Sequence, residues 1–409
     1  MSMTLSEELI WRGFHAENTF DNPQELDTKT HNFYFGADPS ADSLQVGNLA
    51  ALMMCRCFVK HGYHATLLVG GATGQIGDPK ETGERDLKPL DEIVRNKQII
   101  SHQFRTVLGI TDEAVQRGEF VMVDNLDWFK DVRFLDFLRN VGKNFSMTQL
   151  IDREFVKSRI GEGGNGISYA EFSYTLMQGY DFWHLFKTRQ IDLQLCGADQ
   201  YGNCVSGVHL INKLEGKRAH VWSLPLVLDK VSGRKFGKSE GNALWLSPER
   251  TGIFDFYQFW RGASDENLDQ FLKFYTELDR PEVEELLAEN AKNPAARLAG
   301  RKLAFEVTKI VHGKQNAELA EQATDFLSGT EKLFSDNLSM ELRVWLKENL
   351  PTITADSAMS TADILVAALG ISNREAKELV SANAIKERKV GDLRLLKKGK
   401  NTYILVENA

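Results

Sequence analysis

The stretch GRKFGKSEGNALWL, Gly233 to Leu246, sets Arg234, Lys235 and Lys238 around a glycine, with Ser239 and an apolar run behind them. The chain as a whole is acidic, with a formal net charge of -8. Cations gathered in one glycine-bearing loop of such a protein fit a ligand more negative than the protein itself, such as a polyphosphate. A solvated turn is the alternative for so short a charged stretch. FGADPSADSLQVGN, Phe35 to Asn48, turns at Gly36 and Pro39 and opens a helix near Val46. Backbone N–H groups at a helix start form an anion site. Gly47 lets a nucleotide lie against that start, because no side chain intervenes. A plain connection with a packing glycine is the other reading. VGGATGQIGDP holds Gly70, Gly71, Gly74 and Gly77. It lacks both the Gly-Lys-Ser/Thr of a P-loop and the dinucleotide-binding spacing. It does deliver Asp78, which could hold an amine or cap a helix.

SYAEFSYTLMQGYDFWHLF opens with Ser168 and Glu171 at capping-box spacing, which predicts a helix. Tyr174, Gln178 and Asp181 then fall at i, i+4 and i+7, one face of that helix. Phe172, Leu176, Met177, Phe182 and Trp183 surround them. A buried polar stripe must be satisfied, either by an internal network or by a small polar ligand with an aromatic body. In CGADQYGN, Asp199 can accept from ribose hydroxyls and Gln200 can bond an amide or carboxyl group.

The elements that must position these groups alternate. NFYFGA, ATLLVGG, FVMVDN, DLQLCG and HVWSLPLVL read as strands, and Val46 to Lys60 as a helix between the first two. That alternation predicts a parallel, doubly wound sheet with ligands at the carboxyl ends of the strands. The loops after Phe35, Val69, Cys196 and Leu228 are therefore the ones to carry the site. From about Ser247 the pattern turns helical without strands. A polar stretch, KENLPTITADSAMS, and a basic tail follow. The N-terminal MSMTLSEELIWRGF reads as a short helix with a Thr4–Glu7 capping box. It is not a secretory signal, and no stretch of ~20 apolar residues offers a membrane span. At 409 residues the chain should hold two or three domains. Cys55, Cys57, Cys196 and Cys204 have no metal-ligand spacing. They read as reduced thiols of a cytoplasmic protein, with no structural metal.

Taken together these stretches resemble class I aminoacyl-tRNA synthetases, and within them the bacterial tyrosyl-tRNA synthetases. DPSADSLQVGN is similar to their HIGH region and KFGKS to their KMSKS loop. GGATGQIGDP, EFSYTLMQGYDF, GADQYGN and FYQFW…EVTKIVHG match further stretches, in order and at the right spacing over nearly the whole chain. The resemblance implies an α/β fold: a Rossmann-like, doubly wound catalytic domain at 1–246 with a connective insertion at about 115–190. A helical anticodon-binding domain at 247–325, a linker region at 326–360 and a small basic α/β RNA-binding domain at 361–409 would follow. From Lys386 to Lys400 seven basic residues stand against Glu387 and Asp392, a net charge of +5. Such a surface neutralises phosphates and makes binding salt-sensitive.

The resemblance also implies residue roles. Tyr34 and Asp181 would bind the phenol of tyrosine. Asp78, Tyr174 and Gln178 would bind its α-amino group, with Gln200 near its carboxyl end. Gly36, Asp38, Gly47 and Asn48 would line the ATP site and Asp199 would meet the ribose. Lys235 and Lys238 would neutralise the pyrophosphate, with Gln45 and Ser40 beside it and Arg85 and Lys80 assisting from a nearby loop. Gln45 stands where the HIGH motif usually begins with histidine. The implied partners are L-tyrosine, ATP with Mg2+, tRNA(Tyr) and a second copy of the chain, with no DNA and no membrane. Three other readings stand beside this one: a tryptophan-specific sister enzyme, a small nucleotidyltransferase, and a non-catalytic RNA-binding protein on the same scaffold.

Overall fold

A computed structural model describes residues 3–78, 88–151, 154–161, 163–239, 242–328, 338–355, 359–390, 393–399 and 402–408. The chain divides into two compact units, Met1–Ser247 with Asp269–Val283, and Pro248–Leu268 with Glu284–Ala409.

The first unit is built on five parallel strands: β1 (Phe33–Ala37), β2 (Ala65–Val69), β3 (Phe120–Asp124), β4 (Leu193–Gly197) and β5 (His220–Leu224), in the order β3-β2-β1-β4-β5. This is the doubly wound sheet that the alternation predicts. β2 and β5 are buried along their whole length, as apolar runs covered on both faces require. β5 stops at Leu224, short of the apolar run's end at Leu228, because Pro225 has no N–H for the ladder. The helices that matter to the site are α1 (Leu5–Arg12), α2 (Val46–Lys60), α3 (Thr73–Ile76), α4 (Leu90–Leu108), α5 (Tyr169–Arg189) and α6 (Tyr201–Glu215). The Thr4–Glu7 box at the start of α1 is present in both directions. α2 carries its apolar residues at nearly every position and is buried along most of its length, which fits a helix lying on a sheet.

The sequence reading puts one boundary near 247, but the chain returns to the first unit at 269–283. Arg12 is almost fully buried and donates to the carbonyls of Lys273, Thr276 and Leu278. Phe236 packs on Phe271, with ring centroids 4.2 Å apart. A two-residue hairpin, β6 (Lys238–Ser239) with β7 (Asn242–Ala243), follows Phe236.

In the second unit the helices Ile253–Arg261, Leu298–His312 and Lys314–Ser328 bury Phe256, Tyr257 and Trp260. Gln258 donates to Thr324 at 2.6 Å inside them. The basic tail folds with β8 (Thr352–Ala355), β9 (Ile385–Val390), β10 (Leu393–Lys398) and β11 (Thr402–Asn408) in the order β8-β11-β10-β9. Helices Thr361–Leu369 and Asn373–Ser381 pack on the sheet through Ile364, Leu365 and Ala376. The stretch expected as linker thus supplies a helix, Met340–Asn349, and strand β8, which pairs in parallel with β11. β8, Thr-Ile-Thr-Ala, has strand-favouring residues but is only four residues long, so it becomes a strand only beside a partner. Among the described residues no helix is long and apolar enough to cross a membrane.

Candidate active site

The carboxyl ends of β1 and β4 and the loop after β2 open into a cavity of ≈ 910 Å³. The β1 end brings Tyr34, Gly36, Asp38 and Ser40 to it, and the start of α2 brings Gln45, Gly47 and Asn48. The glycine-rich loop after β2 delivers Asp78, and α5 presents Tyr174, Gln178 and Asp181. Asp199 and Gln200 arrive from the end of β4, and Lys235 from the basic loop. Of the residues singled out in the sequence, Lys238 is placed only by its backbone in β6. Its side chain, Lys80 and Arg85 lie outside the described residues.

At the buried end, Asp181 accepts from Trp128 Nε1 at 2.8 Å and from Asn125 Nδ2 at 3.0 Å. Burial pushes its pKa up to about 8, and nearby Asp38 and Asp124 push the same way, while the two hydrogen bonds hold it down. Tyr34 lies beside it with its hydroxyl buried and without a hydrogen-bond partner. Burial raises the Tyr34 phenol well above the ordinary tyrosine value, so this hydroxyl keeps its proton and can donate.

Asp38 bridges toward the other end. It accepts from Thr73 Oγ1 at 2.6 Å and from Tyr174 Oη at 2.8 Å. Asn125 also donates to Thr73 Oγ1 at 2.9 Å, so Asp181, Asn125, Thr73, Asp38 and Tyr174 form one continuous chain. The resemblance puts Asp38 with ATP, and here it is bonded to Tyr174 of the amino-binding set. Asp78 accepts from Gln200 Nε2 at 2.8 Å and from Asn203 Nδ2 at 3.4 Å. Gln178 turns its amide nitrogen to Cys204 Sγ at 3.7 Å and leaves Oε1 without a partner. Carboxylates and a free carbonyl oxygen are acceptors, and together they suit an ammonium group.

The opposite wall is made by the basic loop and α2. Lys235 Nζ stands 3.5 Å from Asp199 Oδ2. The segment after the hairpin is stitched to the entrance of α2: Val46 N donates to Leu244 O at 3.0 Å and Leu246 N to Leu44 O at 2.9 Å. The N–H of Val46 is therefore used inside the protein, which narrows the anion site expected at this helix start. Gly237 has φ +80°, and a Cβ there would come within 2.3 Å of Val46 Cγ1. Glycine is required by conformation and by contact. Gly47 is different: nothing lies within 4 Å of where its Cβ would stand. α4 fixes the loop between β1 and α2, with Gln103 bonding Leu44 N and Ser43 Oγ and Asn96 donating to Pro39 O.

The helix that carries the polar stripe is anchored differently from the sequence expectation. Ser168 Oγ does accept from Glu171 N at 3.1 Å. The Glu171 side chain instead meets Arg159 in a two-pronged pair, both contacts 3.0 Å, with both groups buried. A buried carboxylate gains more from a guanidinium than from one backbone N–H.

Asn125, Trp128, Thr73 and Asn203 were missed by sequence reasoning. The rule that sends ligands to strand carboxyl ends applies to the loop after Asp124 as well, and that loop supplies Asn125 and Trp128. Among the described residues no group of three or more His, Cys, Asp or Glu could hold a metal ion.

With this geometry in place, comparison with known proteins is direct. Residues 26–327 match the family model described as tRNA synthetases class I (W and Y), and the chain belongs to that family. Among its relatives, Tyrosine--tRNA ligase 1 of Enterococcus faecalis is 40% identical over 396 residues, covering 94% of this chain and 90% of the relative. The Tyrosine--tRNA ligase of Lactobacillus acidophilus is 37% identical over 426 residues, covering 98% of each. Among solved structures, a C-terminally truncated mitochondrial tyrosyl-tRNA synthetase of Coccidioides posadasii superposes with a TM-score of 0.68 at 28% identity, over 79% of this chain and 92% of that one. A tryptophanyl-tRNA synthetase of Plasmodium falciparum, 13% identical with a TM-score of 0.54 over 84% and 88% of the two chains, shares the fold.

Proposed function

We propose that this protein is a tyrosine--tRNA ligase. It activates L-tyrosine with ATP to tyrosyl-adenylate and pyrophosphate, then transfers tyrosine to the 3′ end of tRNA(Tyr). The observation that carries the reading is the polarity of the cavity. An unpartnered Tyr34 hydroxyl and Asp181 occupy its buried end, and Asp38, Asp78 and the free Gln178 oxygen stand farther out. A molecule with a phenol at one end and an ammonium at the other satisfies both sets, whereas an indole, which only donates, offers no acceptor to the Tyr34 hydroxyl.

The tyrosine carboxylate attacks the α-phosphorus of ATP, and such a displacement needs positioning and charge neutralisation more than a covalent nucleophile. Asp78, Tyr174 and Gln178 hold the ammonium, and Gln200 lies at the carboxyl end. Gly36, Asp38, Gly47 and Asn48 line the ATP side, and Asp199 takes the ribose. Lys235, Lys238, Gln45 and Ser40 surround the triphosphate, and Mg2+ enters with ATP as its counterion. The protein works in the cytoplasm as a homodimer, and the basic C-terminal sheet meets tRNA. The test is exchange of labelled pyrophosphate into ATP, with charging of tRNA(Tyr) as the second step. Exchange that depends on tyrosine and not on tryptophan is expected. A protein that binds tRNA without any exchange would favour the non-catalytic RNA-binding reading.

A further inference from the structure

Cys196 and Cys204 are free thiols, and both are buried. Cys196 lies near the end of β4 and Cys204 in the first turn of α6, and the connection between them brings the two side chains into hydrogen-bond contact. They share one apolar cluster with Tyr34 and Phe182. Cys196 also lines the cavity, and Cys204 Sγ accepts from Gln178 Nε2 at 3.7 Å. The pair therefore adjoins both the Tyr34 end of the cavity and the groups that suit an ammonium.

Two touching thiols can help hold a metal ion, be joined by oxidation, or bond together to one thiophilic atom. Their surroundings choose among these. Structural zinc takes four ligands, and among the described residues no third His, Cys, Asp or Glu joins the pair. Oxidation by a hydroperoxide starts from a thiolate, and burial pushes the Cys204 thiol well above its ordinary value. Bonding to trivalent arsenic needs neither condition. An organoarsenic(III) oxide gives up its oxygen as water: two S–H bonds break, two As–S bonds form, and arsenic stays trivalent. No charge is created, so an apolar pocket holds the product without a desolvation penalty. Cys55 and Cys57 offer no second pair of this kind, because residues two apart on a helix do not face each other.

We infer that Cys196 and Cys204 form a dithiol site for trivalent arsenicals that opens on the tyrosine cavity, and that filling it blocks tyrosine. The effect on activity rests on the tyrosine reading; the bonding of arsenic does not. Arsenic reaches Cys196 from the cavity and closes on Cys204. The second bond takes the Cys204 sulfur away from Gln178, and the group carried by arsenic occupies space beside Tyr34.

The probe is phenylarsine oxide, applied to the full chain in excess 2-mercaptoethanol, which strips arsenic from single thiols but not from a pair. Intact mass should show one adduct. Tryptic digestion should place it on residues 190–213, which hold Cys196 and Cys204 and neither of the other cysteines. Cys196→Ser and Cys204→Ser should each abolish it, and the latter keeps a hydroxyl for Gln178 to bond. In the parent, exchange at limiting tyrosine should fall by about tenfold or more and return when 2,3-dimercaptopropanol removes the arsenic. Tyrosine added first should slow adduct formation. The absence of a monothiol-resistant adduct overturns the inference, as does an adduct mapped to Cys55 or Cys57. An adduct on residues 190–213 that leaves exchange and tyrosine binding unchanged overturns the link to the cavity. A parent chain with no tyrosine-dependent exchange overturns the tyrosine reading, while the adduct and its position still decide whether the dithiol site exists.

Discussion

Asn125 spends its amide nitrogen on two partners, Asp181 Oδ2 at 3.0 Å and Thr73 Oγ1 at 2.9 Å. Because Thr73 in turn donates to Asp38, the carboxyl at the phenol end and the carboxylate that meets Tyr174 belong to one hydrogen-bonded chain. Asn125 has no exposed surface, and among the described residues its side-chain amide bonds this chain and the backbone of Ala72. Asn125→Ala removes one of two donors to a buried carboxyl, a loss of about 1–3 kcal/mol. The expected outcome is a tyrosine KM raised about tenfold or more, with the ATP KM little changed. Steady-state exchange at varied tyrosine measures it, and an unaltered tyrosine KM would show that Trp128 alone suffices to hold Asp181.

Asp181 should give a pH signature in stability. Its pKa is raised from 3.8 to about 8 by burial, so the folded protein holds this proton more tightly than the unfolded chain does. The contribution is therefore full below about pH 4, declines as pH rises toward 8, and is flat above. Asp181→Asn removes the ionisation altogether. Its melting temperature should gain on the parent's steadily between pH 5 and pH 8, while tyrosine activation nearly disappears. Melting curves across that range, paired with exchange assays, check both halves. A constant difference in melting temperature would mean that Asp181 titrates as an ordinary carboxyl.

Gly47 and Gly237 flank the same contact and should respond in opposite ways. Gly47→Ala adds a methyl to open space, so stability should hold or rise slightly while the ATP KM rises. Gly237→Ala must escape a positive φ and a clash with Val46, so the basic loop is displaced. The adenylate formation rate should drop sharply with tyrosine binding intact. Rapid-quench kinetics and tyrosine titration separate the two. Equal effects of the two substitutions on the chemical step would contradict the arrangement of the loop against α2.

Gln45 lines the cavity, and its backbone is bridged to Trp245 beyond the basic loop. A glutamine amide offers N–H donors where the related motif has histidine, without the positive charge. One donor aimed at charge that develops in the transition state is worth ~2.7–4 kcal/mol. Gln45→Ala should therefore slow adenylate formation by about two orders of magnitude or more and leave tyrosine affinity alone. Gln45→His should remain active. Single-turnover adenylate formation on both variants decides it, and a parent-like rate in Gln45→Ala would make Gln45 a bystander to the triphosphate.

Much of this was legible in the sequence because it is local. The β1 and β2 patterns, the span of α2 and the stripe Tyr174–Gln178–Asp181 follow from period and capping alone, and the structure has each of them. What escaped depends on distant partners. Asn125 reaches 52 residues back to Thr73 and 56 forward to Asp181, separations that no window of sequence spans. Glu171 has capping-box spacing, yet Arg159 outbids the backbone for it. Tyr174 was assigned to the ammonium alone, and its bond to Asp38 arises only where the end of β1 meets α5. β8 was hidden because a segment of four residues becomes a strand only when β11 lies beside it.

β11 is the last strand of the chain and yet an interior one, with β8 on one side and β10 on the other. A growing polypeptide therefore cannot close this sheet until the residues up to Asn408 have left the ribosome. A chain that lacks only β11 leaves β8 and β10 without the strand that joins them. Bare strand edges of that kind pair with other chains, so β11 is what keeps this small sheet from joining another copy edge to edge.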